Sequence, residues 1–174
     1  MHSIRFAGVA ILKAGQLDII SHSADQTRRL GARLGSLLQA GDFICLSGDM
    51  GAGKTVFAVG IGQGWGSALP LTSPTVNLIH AHSRLVDKQH LYHIDCYRLD
   101  DEDEVDSINL DRLLKKKGSV VMEWPERVPG ILPKNRLWIE LRVVEPTRRG
   151  FSLEAVGARY EDLLNRFRES TFGV

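Results

Sequence analysis

Eight consecutive residues, Gly48-Asp-Met-Gly-Ala-Gly-Lys-Thr55, constrain this chain more than any others. Their spacing is G-x-x-x-x-G-K-[ST], the pattern of a phosphate-binding loop. Glycines allow successive backbone N–H groups to turn inward around an anion with no Cβ in the way. Lys54 brings a point charge to the β and γ phosphates, and the Thr55 hydroxyl is placed to serve a magnesium ion. The flanks suit the motif. Asp42-Phe-Ile-Cys-Leu-Ser47 is a short apolar run fit for a buried strand, and Val56-Phe-Ala-Val-Gly-Ile61 continues as a helix. Strand, glycine loop and helix N-terminus in succession make an anion site. Asp49, Met50, Gly51, Ala52, Gly53, Lys54, Thr55 and Val56 are therefore the expected phosphate-end residues, and a nucleoside triphosphate is the expected ligand.

The bulk composition limits the alternatives. A length of 174 residues fits one domain with a substantial core. Lys and Arg number 22 against 21 Asp and Glu, a net charge of +1, so there is no overall nucleic-acid footprint. Cys45 and Cys96 lie far apart in apolar stretches and fit no metal or disulfide spacing, which marks them as reduced core thiols. No run approaches the ~20 apolar residues of a membrane span. Phe6–Leu12 is interrupted by Lys13 and is followed by no clear cleavage site. A cytoplasmic protein with no membrane partner is the expectation.

Periodicity then orders the chain. Leu17–Ile20 reads as a strand. Ser23 caps a helix over 24–39 that Gly41 stops. The helix after the loop, carrying Gly60, Gly62, Gly64 and Gly66, is expected to end near Gln63. Val76–His82 and His90–Asp95 form an antiparallel hairpin. The acidic run Asp100–Glu104 opens a helix reaching Lys117. Ser119–Glu123 is a buried strand, Pro125, Pro129 and Pro133 mark a loop, Leu137–Val144 and Phe151–Val156 make a second hairpin, and 158–169 is a closing helix. The predicted fold class is α/β: a single-domain, three-layer sandwich like the P-loop NTPases, with antiparallel hairpins in a mixed sheet, spanning residues 1–174.

Phosphoryl chemistry also needs a carboxylate for magnesium and a group to position the attacking water. In an open α/β sheet these belong at the carboxyl ends of strands beside the loop. Asp95 and Glu123 each close a predicted strand and are the candidate catalytic acids. Thr72-Ser-Pro-Thr75 follows the first loop-borne helix, where a switch segment sensing the γ phosphate would lie. His80, His82, His90 and His93 fall on the central hairpin. They lack the four converging ligands zinc wants and read as polar sheet-surface histidines.

Taken together, Gly48–Thr55, Thr72-Ser-Pro-Thr75, His93-Ile-Asp-Cys-Tyr-Arg-Leu99 and Glu123-Trp-Pro-Glu-Arg127 resemble the TsaE family, also called YjeE, over residues 23–156. These are small bacterial ATPases required for threonylcarbamoyladenosine formation in tRNA. The resemblance implies ATP and Mg2+ as cofactors and the TsaD and TsaB proteins as partners. The modified base is adenosine 37 of ANN-decoding tRNAs, with tRNA reached indirectly through that assembly. It implies that Thr55 and Glu123 serve the metal and Asp95 is an essential acid. Ser73, Thr75 and Trp124 would be switch-like, and Thr27 and Arg149 would line the adenine end. Met50, Val76, Cys96 and Ala24 depart from the family's usual residues. Residues 1–20 and the closing helix lie outside the resemblance. The chain offers no clear arginine finger, so slow turnover alone is expected, with Arg98 or a partner's residue supplying the missing charge. A P-loop small-molecule kinase is the alternative reading.

Overall fold

The computed structural model describes residues 13–73, 78–99, 106, 108–116 and 118–173. Two strands fix the centre. Phe43–Ser47 (β2) and Ser119–Glu123 (β5) carry apolar residues in unbroken succession, and nearly every position of both is buried. A strand covered on both faces belongs in the parallel middle of a layered sheet. There β2 and β5 pair in parallel, Leu46 opposite Glu123. His90–Asp95 (β4) continues the parallel set beside β5, Asp95 opposite Glu123. Arg136–Val143 (β6) adds to the other edge of β2, also in parallel.

The antiparallel pairs lie outside this core. Ile79–Ser83 (β3) hairpins onto β4, Arg149–Val156 (β7) onto β6, and Gln16–Ser21 (β1) pairs with β7. Among the described residues the sheet has seven strands in the order β1-β7-β6-β2-β5-β4-β3. This is the mixed α/β sheet with two hairpins that the sequence predicts. The strand expected over Val76–His82 is β3, and residues 74–77, with Thr75 and Val76, lie outside the described residues.

Four α-helices are described: Ala24–Gly35 (α1), Lys54–Trp65 (α2), Leu110–Lys115 (α3) and Ala158–Phe172 (α4). Ser23 caps α1 as expected. Its Oγ accepts from Gln26 N while Gln26 Oε1 accepts from His22 N, at 3.1 and 2.7 Å, a reciprocal closure of the first turn. The helix stops at Gly35 rather than at residue 39. Leu37 N and Leu38 N donate to the carbonyls of Leu34 and Gly35 in tight i−3 turns, and Leu38 stays buried. The apolar pattern thus outlasts the helix. Of the helix expected from the acidic run, Leu110–Lys115 is described; residues 100–105, 107 and 117 lie outside the described residues.

The helix α2 runs two residues past Gln63, to Trp65, and its glycines give the reason. A Cβ on Gly31 would sit 2.3 Å from Phe57 O, and one on Gly35 would sit 2.0 Å from Ile61 O. In return, a Cβ on Gly60 would lie 2.1 Å from Arg28 O, and one on Gly64 would lie 1.8 Å from Ala32 O. Two Gly-x-x-x-Gly pairs face each other and bring the backbones of α1 and α2 into contact. Glycine weakens an isolated helix, but here it permits an approach no other residue allows.

The closing helix α4 completes the core. Tyr160, Leu163, Leu164 and Phe167 are buried. Tyr160 Oη accepts from Phe43 N at 2.8 Å, and Arg159 donates to both oxygens of buried Asp42 at 2.9 and 2.6 Å. Cys45 and Cys96 are free and buried, and burial pushes each thiol up to about 12. Among the described residues no helix is long and apolar enough to cross a membrane.

Candidate functional site

Because β2, β4, β5 and β6 run in parallel, their carboxyl ends emerge on one edge of the sheet. That edge receives the phosphate loop after Ser47, Asp95 after β4, Glu123 after β5 and the 144–148 turn after β6. The end of β1 reaches it too, since Ser21 pairs with Arg149, so α1 also begins there. Together these segments enclose a cleft of about 1120 Å³.

The loop is shaped by its glycines. Gly48 has φ +128°, and a Cβ there would come within 2.0 Å of Leu141 O. Gly53, at φ +102°, turns the chain into α2. Met50, Gly51, Gly53, Lys54, Thr55 and Val56 line the cleft. Of the other two expected loop residues, Asp49 contributes its carbonyl and Ala52 is fully buried beneath. Lys54 Nζ donates to the carbonyls of Gly48 and Asp49 at 2.5 and 2.8 Å, and lies 3.9 Å from the Trp124 ring centroid. Burial holds the Lys54 ammonium below its ordinary 10.5, against the upward pull of Glu123, Glu126, Asp95 and Asp49.

Glu123 and Asp95 stand opposite each other in register, yet their environments differ. Glu123 is 2% exposed. Its oxygens lie 3.3 and 3.2 Å from Thr55 Oγ1, and Oε1 accepts from His93 Nε2 at 2.8 Å. Asp95 faces outward. One oxygen accepts from Tyr97 N at 3.0 Å and the other from Ser73 Oγ at 3.4 Å. Ser73, the described member of the Ser73/Thr75 pair, is thus tied to Asp95.

Trp124 follows Glu123 with φ +59°, a left-handed backbone that costs a bulky residue on the order of 1–2 kcal/mol. Its N–H is held by Leu46 O at 3.1 Å, and its ring packs against that of Tyr97, tilted by 46° with centroids 5.0 Å apart. Strain of this kind gathers where side-chain placement matters.

The far end of the cleft is built from the start of α1 and the β6–β7 turn. Thr27 Oγ1 bonds Ser21 Oγ at 2.7 Å, both buried, so this hydroxyl is used inward while the residue still lines the cleft. Arg149 Nη1 reaches the carbonyls of Glu145, Pro146 and Arg148 at 3.1, 3.2 and 3.0 Å, and Nη2 lies 3.4 Å from Gly51 O. One guanidinium therefore fastens the turn to the phosphate loop. Arg98 also borders the cleft.

All the described candidate residues gather at this edge. The correction concerns His93, expected on the polar sheet surface: it is fully buried and bonded to Glu123. His80 and His82 are half-buried and His90 is exposed. Sequence reasoning also passed over Tyr97 and Ser21. The signal for His93 was present, since it sits among Leu91, Tyr92 and Ile94 in the same predicted strand.

Magnesium takes oxygen ligands, keeps several waters and is commonly held by one or two carboxylates plus substrate phosphates. A buried carboxylate beside a loop hydroxyl, with lysine and backbone amides in reach, fits that chemistry. Among the described residues no group of three or more His, Cys, Asp or Glu could hold a metal unaided.

Residues 21–150 match the family model described as threonylcarbamoyl adenosine biosynthesis protein TsaE. The chain belongs to the TsaE family. It is similar to the tRNA threonylcarbamoyladenosine biosynthesis protein TsaE of Bacillus subtilis, 34% identical over 80% of this chain and 85% of that protein. The protein of the same name from Treponema pallidum is 38% identical over 75% of this chain and 94% of its own. The Streptomyces coelicolor protein is 41% identical over 66% and 77%. The crystal structure of Bacillus subtilis YdiB superposes with a TM-score of 0.74 at 27% identity, covering 94% of this chain and 97% of its own. The family match takes in Thr27, the phosphate loop, Asp95, Glu123, Trp124 and Arg149, and leaves α4 outside.

Proposed function

We propose that this protein is a Mg2+-dependent, ATP-binding and ATP-hydrolysing subunit required for threonylcarbamoylation of adenosine 37 in ANN-decoding tRNAs. It acts in the cytoplasm with the TsaD–TsaB transferase assembly, and tRNA is reached through that assembly. The observation that carries the reading is the convergence of Lys54, Thr55, Glu123 and Asp95 at one sheet edge, with family membership. The phosphates sit against the amides of residues 49–56 and Lys54. The base lies toward Thr27 and the turn fixed by Arg149. Thr55 and Glu123 hold the metal, which supplies charge neutralisation at the phosphates when bound.

Asp95 is the essential acid that helps to position the attacking water or stabilises the switch. Its links to Ser73 and Tyr97 place it at the mouth of the cleft, where a changing phosphate would be felt. Ser73, Thr75 and Trp124 have the switch-like roles. With no arginine finger assigned, turnover of the isolated chain is slow, because such a residue contributes about 10³–10⁵ in rate.

The test is ATP hydrolysis with TsaD, TsaB and tRNA added stepwise, native protein against Lys54→Ala. Turnover that climbs with the partners and disappears in the variant is the expected result. Turnover indifferent to all three additions would overturn the assignment, and acceptor-dependent ADP formation would replace it with a kinase.

A further inference from the structure

We infer that His93 is a positioning residue that fixes the orientation of the Glu123 carboxylate toward Thr55, and thereby sets the affinity of the divalent-cation site. The inference rests on the reading of Glu123 as the metal carboxylate. Side chains alternate along a strand. Register pairs His93 with Val121 and Asp95 with Glu123, so His93, Asp95 and Glu123 share one sheet face, and His93 is the diagonal neighbour of Glu123.

Directly opposed carboxylates repel, and a buried carboxylate needs donors. Asp95 is turned outward by Tyr97 N and Ser73 Oγ. Glu123 is buried, and Lys54 Nζ bonds the Gly48 and Asp49 carbonyls. The Thr55 hydroxyl has a single hydrogen and stands more than 3 Å from both Glu123 oxygens. His93 makes the short bond, 2.8 Å from Nε2 to Oε1. A carboxylate only accepts, so Nε2 carries the proton. With Oε1 held there, the carboxylate cannot swing away from Thr55.

The other ring nitrogen shows that this role is mechanical. Among the described residues His93 Nδ1 is buried with no hydrogen-bond partner, so no described side chain continues a proton path from the ring. A residue that orients a metal ligand through one hydrogen bond typically affects metal affinity about 10–100-fold when removed.

The experiment measures Mn2+ binding to the full chain saturated with ADP, by electron paramagnetic resonance, and ADP binding in EDTA by calorimetry. His93→Leu removes the donor, whereas the amide of His93→Gln can place an N–H near the same point. Expected are a Mn2+ affinity loss of about 10–100-fold in His93→Leu, metal-free ADP affinity near native, and recovery of most of the Mn2+ affinity in His93→Gln. Native Mn2+ affinity in His93→Leu, or equal impairment in both variants, would overturn the inference. If His93→Leu does not fold, His93→Asn, too short to reach Oε1, takes its place under the same criteria. Glu123→Gln separates the two levels. Native Mn2+ affinity there would remove the metal reading and this inference with it. An impaired Glu123→Gln beside an unaffected His93→Leu would remove the inference alone.

Discussion

Lys54 already touches what a phosphate would displace. In this structure its ammonium is held by two loop carbonyls and the face of Trp124, and burial keeps it below its ordinary value of 10.5. Phosphate binding favours the charged amine, so nucleotide uptake at alkaline pH carries a proton with it. The affinity for ADP is expected to fall as pH rises through the lowered Lys54 value, beginning below 10.5. Calorimetry across pH, with the buffer's ionisation heat varied, reads both the affinity and the proton. Pulling Lys54 off the ring also changes the surroundings of Trp124. Arg149→Ala makes a different prediction. With four carbonyl contacts gone, the base-side turn loosens, and ADP affinity should drop by roughly tenfold, the scale of one or two charge-assisted hydrogen bonds. Thermal stability should change little.

Element by element, the sequence was readable where burial is two-sided. The strands β4 and β5 have the predicted bounds, β5 because its apolar run is bracketed by polar residues and β4 because Leu91, Tyr92 and Ile94 fall between the polar ends His90 and Asp95. Polarity alone puts His93 on the sheet surface, and it does not show that a polar side chain within a strand has a partner two residues along the next strand. The ends of α1 and α2 were less legible. Leu37 and Leu38 extend the helical pattern past the helix, and glycines read as breakers are the surface on which the two helices meet. Gly60→Ala would press a methyl against Arg28 O and should cost about 1–3 kcal/mol or more, as overpacking does. Denaturant unfolding is expected to show a lower midpoint with an unchanged m-value. Gly66→Ala is the contrast, strained by φ +90° but with open space around it.

For the whole molecule, α4 makes the part outside the family match integral to the core. Arg159→Ala strips buried Asp42 of its cation, leaving it the Gln39 N–H, and should destabilise the protein by about 3 kcal/mol, read by denaturant titration, with ADP affinity unchanged. Alkaline behaviour belongs to this scale as well. Burial raises Cys45, Cys96 and Tyr160 to about 12, from 9.0 for the thiols and 10.0 for the phenol. All three keep their protons longer folded than unfolded, so stability is full below about 9 and is lost progressively toward 12. Thiol titration at pH 8 should find neither cysteine reactive until denaturant is added.

The contact between α1 and α2 has a mechanical consequence. One helix begins at the base end of the cleft and the other at its phosphate end, and backbone against backbone leaves no side chains to rearrange between them. The two starting points therefore behave as the jaws of a fixed gauge, whose opening no nucleotide can alter. Any motion that nucleotide binding drives is then taken up on the opposite wall, where Asp95 is joined to Tyr97 N at 3.0 Å and to Ser73 Oγ by one long bond of 3.4 Å. Amide exchange should follow that division, steady along the helical seam and responsive to nucleotide around residues 95–98.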